Sequence, residues 1–240
     1  MEKYLSHPSE AEAVVFDVDG VLIDSWMSIM AQGMELIRYY RGQIDYHKDY
    51  ERVYLANVRS GDPRINIPDM LELDQEAWTK GSDRLLRWHA EIFHNCKDLM
   101  VPYSGAQSLL EEVAEQKPIA ALTTRSNYMF CPEMCPEFLP FDNPKRYFSS
   151  VVTRSDVVHA KPHPEGFLRI SEELNIPSER MVMIGDMPTD MQFLQQVGAL
   201  GIGITQFPFA DANLLRNAGA DYVVESLSDV RGLLLGLSDS

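Results

Sequence analysis

Long hydrophobic runs are missing from this chain of 240 residues. No stretch approaches the roughly 20 apolar residues that a membrane-crossing helix needs, so a membrane span is not expected. The first ten residues, Met1 to Glu10, are polar and lack the apolar centre of a secretory signal. Cysteine is scarce as well. Three cysteines, an odd number in a long chain, do not make a disulfide framework, and a reducing cytoplasm is the expected location. Positive charge is in short supply: 21 Lys and Arg stand against 36 Asp and Glu, for a formal net charge of −15. That balance argues against non-specific binding to nucleic acid or to an anionic membrane. No internal repeat and no low-complexity segment is present. What remains is a hydrophobic content of 45%, enough for a sizeable core, on a length that suits one large domain or a domain with an insertion.

The organising stretch is residues 13 to 25, Ala-Val-Val-Phe-Asp-Val-Asp-Gly-Val-Leu-Ile-Asp-Ser. Its apolar opening, Ala13 to Phe16, reads as a strand buried on both faces. Residues two apart on a strand share a side, so Asp17 and Asp19 aim two carboxylates at one point past the strand end. Gly20 lets the backbone turn there. Two such carboxylates repel unless a divalent cation or a shared proton intervenes. With a metal, one is suited to act as ligand and nucleophile while the other carries a proton. The plainer alternative is an acidic turn after a core strand.

Beyond Ser25 the periodicity becomes helical. Ile29, Met30, Met34, Ile37 and Tyr40 recur at steps of three and four, and Gly42 is a stop. A second helix is expected from Tyr46 to Val58. Ser60-Gly61-Asp62-Pro63 and Pro68 read as a loop. Asp74 is placed to cap a third helix through Trp78, Leu85, Leu86, Trp88 and Ile92. From Val101 strands and helices alternate. Helices are expected at about 105–116, 165–174, near 190 and at 211–218. Strands are expected at 118–122, 147–153, 180–185, 199–204 and 220–224. Such alternation means βαβ units and a mainly parallel sheet, which binds ligands beyond the carboxyl ends of its strands. Polar clusters stand at those ends: Asp17 and Asp19, then Thr123-Thr124-Arg125, then Asp186 to Asp190. Lys161 sits in a stiff loop, Lys-Pro-His-Pro. Residues 126–147 are rich in proline and hold Cys131 and Cys135, for which an incidental role outweighs a metal or redox pair.

Four of these features, in this order, resemble the motifs of the haloacid dehalogenase superfamily. Asp17-Val18-Asp19-Gly20 is similar to the first, Thr123 after Ile-Ala-Ala-Leu to the second, Lys161 to the third, and Gly185-Asp186-x-x-x-Asp190 to the fourth. The resemblance points to the phosphoglycolate phosphatase and beta-phosphoglucomutase-like subgroup with a helical cap. It implies an α/β fold, a Rossmann-like doubly wound parallel sheet with an inserted all-helical cap. On that pattern residues 1–24 and 100–240 form the core and residues 25–99 the cap.

The resemblance also implies roles. Asp17 is the nucleophile that forms an aspartyl-phosphate, and Asp19 the acid and base for the leaving oxygen and for water. Thr123 binds a phosphoryl oxygen, with Thr124 and Arg125 beside it as further substrate-binding candidates. Lys161 neutralises charge. Mg²⁺ sits on Asp17, the Asp19 main-chain carbonyl and Asp186, while Asp190 orients that shell. Asp19 favours phosphate-ester chemistry over dehalogenation, because a halide leaves without a proton. The expected activity is a Mg²⁺-dependent phosphomonoesterase acting on a small phosphorylated substrate in the cytoplasm, as a monomer or homodimer. The alternatives are a phosphomutase of the beta-phosphoglucomutase type and a non-catalytic phosphate-ligand binding protein. Arg59 and Arg64, near a loop in the helical block, are candidates for selecting the substrate.

Overall fold

The computed structural model describes residues 4–59, 63–125, 147–207 and 210–237. Cys131 and Cys135 lie outside the described residues. The chain divides into two compact units: residues 1–24 together with 102–240, and residues 25–101. The first is α/β and the second is helical.

Six strands form the sheet of the first unit: β1 (Ala13–Phe16), β2 (Ile119–Leu122), β3 (Phe148–Val152), β4 (Met181–Gly185), β5 (Leu200–Ile204) and β6 (Tyr222–Val224). All neighbours pair in parallel, in the order β3-β2-β1-β4-β5-β6. Val15 of β1 stands opposite Ala120 of β2 on one side and Met183 of β4 on the other. Every residue of β1, β2, β4 and β5 is buried, which is why these strands read as unbroken apolar runs instead of alternating ones. One face of the sheet packs Ala13, Val15, Leu122, Val152 and Met183 against Phe167 and Ile170. Those two residues lie on the helix Glu165–Leu174. The strand order reverses direction between β1 and β4, the place where an open parallel sheet forms its crevice.

The chain leaves this unit after Asp24 and re-enters at Pro102. The Tyr103 N–H donates to the Leu22 carbonyl at 3.0 Å and ties exit to return.

The second unit contains α1 (Trp26–Arg41), α2 (Tyr46–Arg59), α3 (Pro63–Leu71) and α4 (Gln75–Cys96). Gly42 ends α1 in the left-handed conformation, and the Asp74 carboxylate accepts the Ala77 N–H at 2.8 Å at the start of α4. Three expectations need correction. Pro63 and Pro68 do not mark a loop; both belong to α3, with Pro63 at its first position. Pro68 forfeits one backbone bond, and burial of Ile67, Met70 and Leu71 on the same helix offsets that loss. Tyr40 is 43% exposed and is not part of the buried face of α1, which is carried by Trp26, Met30, Gly33, Leu36 and Ile37. Near residue 190 the expected helix is two short ones, Pro188–Met191 and Leu194–Val197. Asp190, Met191, Phe193 and Leu194 are all fully buried, more than the single stripe of one straight helix presents to a core. Among the described residues no helix is long and apolar enough to cross a membrane.

Candidate active site

The site is built at the carboxyl ends of β1, β2 and β4. Asp17 follows β1 directly, and its N–H continues the ladder to Ile184 of β4 at 2.9 Å. Its Oδ1 accepts the Val18 N–H at 2.8 Å and lies 3.0 Å from Lys161 Nζ. Both side chains are buried. Lys161 also pairs with Asp190 Oδ1 at 2.6 Å and donates to the Leu122 carbonyl at 3.2 Å. Asp190 is fully buried, and its Oδ2 accepts the Met187 N–H at 3.0 Å. Asp190 thus aims the ammonium at Asp17.

Asp186 ends β4 on the other side of the crevice. It is buried, and among the described residues its Oδ1 has no hydrogen-bond partner. Gly20 makes its approach possible. The backbone there has φ +75°, and a methyl group at this position would lie 2.0 Å from Asp186 Oδ2. Gly185 has a similar task on the other flank, since a methyl group there would meet Asp190 Cβ at 2.3 Å. The turn after Asp17 is braced by Gln206, whose Nε2 donates to the Val21 carbonyl at 2.6 Å and the Gly20 carbonyl at 3.2 Å. Nothing in the sequence singles out Gln206, which is 185 residues from the turn it holds.

Thr123 is buried at the end of β2, and its Oγ1 accepts the Arg125 N–H at 3.1 Å. That bond uses the oxygen and leaves the hydroxyl proton to donate. Thr124 is half-buried on the same turn. Arg125 is buried and grips Asp19: Nε donates to Oδ2 at 2.7 Å and a terminal nitrogen to Oδ1 at 2.6 Å. The two polar clusters expected at separate strand ends therefore meet. The two arginines of the helical unit singled out as candidates for selecting the substrate, Arg59 and Arg64, are both exposed, and Arg59 pairs with Asp69 at 3.2 Å.

The electrostatics follow from burying three carboxylates beside one ammonium. Burial pushes the Asp17 carboxyl up to about 7; Lys161 pulls it back, while Asp190 and Asp19 push it further. Asp186 is raised well above its usual range, chiefly by burial and then by the negative charges of Asp17 and Asp190. Burial alone would lower Lys161, but Asp17 and Asp190 outweigh it and hold the ammonium above its ordinary value. One donor oxygen from each of Asp17, Asp186 and Asp190 falls within 4.8 Å of the others. An all-oxygen set with an orphaned buried carboxylate oxygen fits a hard divalent cation such as Mg²⁺. Asp17 and Asp186 are the side chains that fit it best, since both Asp190 oxygens are engaged, one by Lys161 and the other by the Met187 N–H.

A family model described as haloacid dehalogenase-like hydrolase matches residues 14–204. The chain belongs to this family. The match runs from Val14 of β1 to the end of β5 and takes in Asp17, Asp19, Thr123, Arg125, Lys161, Asp186 and Asp190. Among curated proteins, the chain is 26% identical over 231 residues to the phosphoglycolate phosphatase of Neisseria meningitidis, covering 91% of this chain and 92% of that one. It is 22% identical over 221 residues to the pyrophosphatase PpaX of Oceanobacillus iheyensis, covering 90% and 94%. Among solved structures, a predicted phosphatase from Clostridium acetobutylicum superposes with a TM-score of 0.76 at 24% identity, over 95% of this chain and all of that one. This last likeness is one of fold.

Proposed function

We propose that this chain is a Mg²⁺-dependent phosphomonoesterase that hydrolyses a small phosphate ester through an aspartyl-phosphate on Asp17. The observation that carries the reading is the arrangement around Asp17: Lys161 at 3.0 Å, and the orphaned Asp186 carboxylate in the same buried acidic cluster. An isolated acidic turn has no use for either. The phosphatase names of the relatives support the same reading.

In the first step a carboxylate oxygen of Asp17 attacks phosphorus, and the bond to the leaving oxygen breaks. Asp19 delivers a proton to that oxygen. In the second step Asp19 takes a proton from water, the water oxygen attacks phosphorus, and the bond to Asp17 breaks to release phosphate. Lys161 offsets the charge carried between Asp17 and the phosphoryl group, and the Thr123 hydroxyl donates to a phosphoryl oxygen. Bound Mg²⁺, held by Asp17, the Asp19 main-chain carbonyl and Asp186, supplies electrostatic neutralisation that lets an anionic nucleophile approach an anionic ester.

The test is phosphate release with Mg²⁺ across phosphoglycolate, hexose and pentose phosphates, nucleotides, inorganic pyrophosphate and pyridoxal phosphate. Release from a few of these, lost with EDTA and in Asp17→Asn, is the expected result. No release from any, with transfer between positions of a sugar phosphate when a sugar bisphosphate is added, would identify a phosphomutase instead.

A further inference from the structure

The turn between β3 and the helix Glu165–Leu174 gathers a second set of metal-ligating groups, distinct from the acidic cluster in its chemistry. His159, His163 and Glu165 each offer one donor atom, and these atoms lie within 4.8 Å of one another. His159 Nδ1 is 2.9 Å from Glu165 Oε2, and His163 Nδ1 is 4.0 Å from the same oxygen. The two imidazole centroids are 4.6 Å apart with their planes tilted by 34°.

The carboxylate is fixed in place by the backbone. Glu165 Oε1 accepts the Val158 N–H at 2.7 Å, and Oε2 accepts the His159 N–H at 2.9 Å. Those two bonds hold its acidity at about 2, so it stays an anion across the working range. The Glu165 N–H donates to His163 Nδ1 at 3.2 Å, which makes Nδ1 the unprotonated nitrogen of that ring, and a metal ion would take its lone pair in place of this N–H. Pro162 and Pro164 flank His163 and restrict the chain on either side of it.

We propose that His159, His163 and Glu165 form a binding site for a borderline-soft divalent cation, Zn²⁺ foremost, on the turn that carries Lys161. Two imidazoles and one carboxylate suit Zn²⁺ and are a poor match for Mg²⁺, which demands oxygen donors. Zn²⁺ bonds of about 2.0–2.1 Å place tetrahedral donors about 3.4 Å apart. The two separations from Glu165 Oε2, 2.9 and 4.0 Å, bracket that spacing. Both histidine side chains are more than half exposed, so small rotations close the set and a water completes it. Lys161 lies two residues from each histidine, so the ion ties together the two limbs of the turn that holds it.

The test is equilibrium dialysis of the full chain against Zn²⁺ with Mg²⁺ in millimolar excess, followed by metal analysis. One Zn²⁺ per chain is expected in the wild type and in Asp186→Asn and Cys131→Ser/Cys135→Ser. That ion is expected to be lost in His159→Ala/His163→Ala. Glu165→Gln, which keeps both imidazoles, is expected to weaken the binding. Zn²⁺ is further expected to slow amide hydrogen exchange over residues 157–165 in the wild type, Asp186→Asn and the cysteine variant, and to leave it unchanged in His159→Ala/His163→Ala. Absence of binding in the wild type, or retention in the double histidine variant, would overturn the proposal. So would loss of the ion in Asp186→Asn or in the cysteine variant.

Discussion

Arg125 holds Asp19 by both carboxylate oxygens, at 2.7 and 2.6 Å. In the proposed mechanism Asp19 has to loosen this fork before it takes up a proton or gives one to a leaving group, and the fork sets where the carboxylate returns. Lysine keeps the charge but not the two-point geometry. Arg125→Lys is expected to lower kcat roughly 10- to 100-fold towards a phosphate ester, the scale of a misplaced catalytic group, with the fold retained. Steady-state kinetics beside a melting curve measures both. An unchanged kcat would remove Arg125 from the reaction.

Asp186 is buried with a carboxylate oxygen unpartnered among the described residues, a cost of roughly 1–3 kcal/mol when no cation is present. Asp186→Asn removes one of three close negative charges. In EDTA it is expected to melt a few degrees above the wild type, since about 1 kcal/mol moves a chain of this size by roughly 2–4 °C. In Mg²⁺ the order reverses, because only the wild type gains binding energy. Paired melting curves with and without Mg²⁺ decide the matter. Equal shifts in both proteins would place the cation elsewhere.

The Asp17 carboxyl, raised by burial from 3.8 to about 7, gives the metal-free protein a pH signature. A carboxyl that binds its proton more tightly folded than unfolded adds stability, in full below about pH 4, and that contribution is lost as pH rises through about 7. In EDTA the melting temperature is therefore expected to fall between about pH 5 and pH 8, and Asp17→Asn is expected to flatten the fall. Mg²⁺ in place of the proton is expected to flatten it too. A fall of equal size in Asp17→Asn would assign it to other groups.

Gly20 has a left-handed backbone and no room for a methyl group beside Asp186 Oδ2. Gly20→Ala costs about 1–2 kcal/mol for the backbone alone, and the carboxylate has to retreat as well. Weaker Mg²⁺ binding by isothermal titration is expected, together with a lower melting temperature. A variant that binds Mg²⁺ like the wild type would show that Asp186 does not need this close approach.

The sequence exposed this site unevenly. The fully buried strands made long apolar signals, and each ended on a polar cluster, so Asp17, Asp19, Thr123 and Asp186 could be found one strand at a time. Pairings across the crevice left no such mark. Arg125 is 106 residues from Asp19, and no local pattern tells a partner of an acid from a ligand of a substrate. Asp190 was expected around the metal shell, whereas its ion pair with Lys161 depends on how the loop after β3 folds back. Pro68 misled because a breaker is read locally while the burial that overrides it is tertiary. No sequence pattern marked His159, His163 and Glu165 as a group; only the turn brings their donor atoms together.

The hydrogen bond from Tyr103 to Leu22 has a meaning for descent. It pins the root of the excursion from residue 25 to 101, so the sheet meets that whole segment as a closed loop. The entropy of closing such a loop grows only with the logarithm of its length. A lineage can therefore lengthen, shorten or exchange the excursion at little cost to the sheet, and leave the acidic crevice unchanged while it does so.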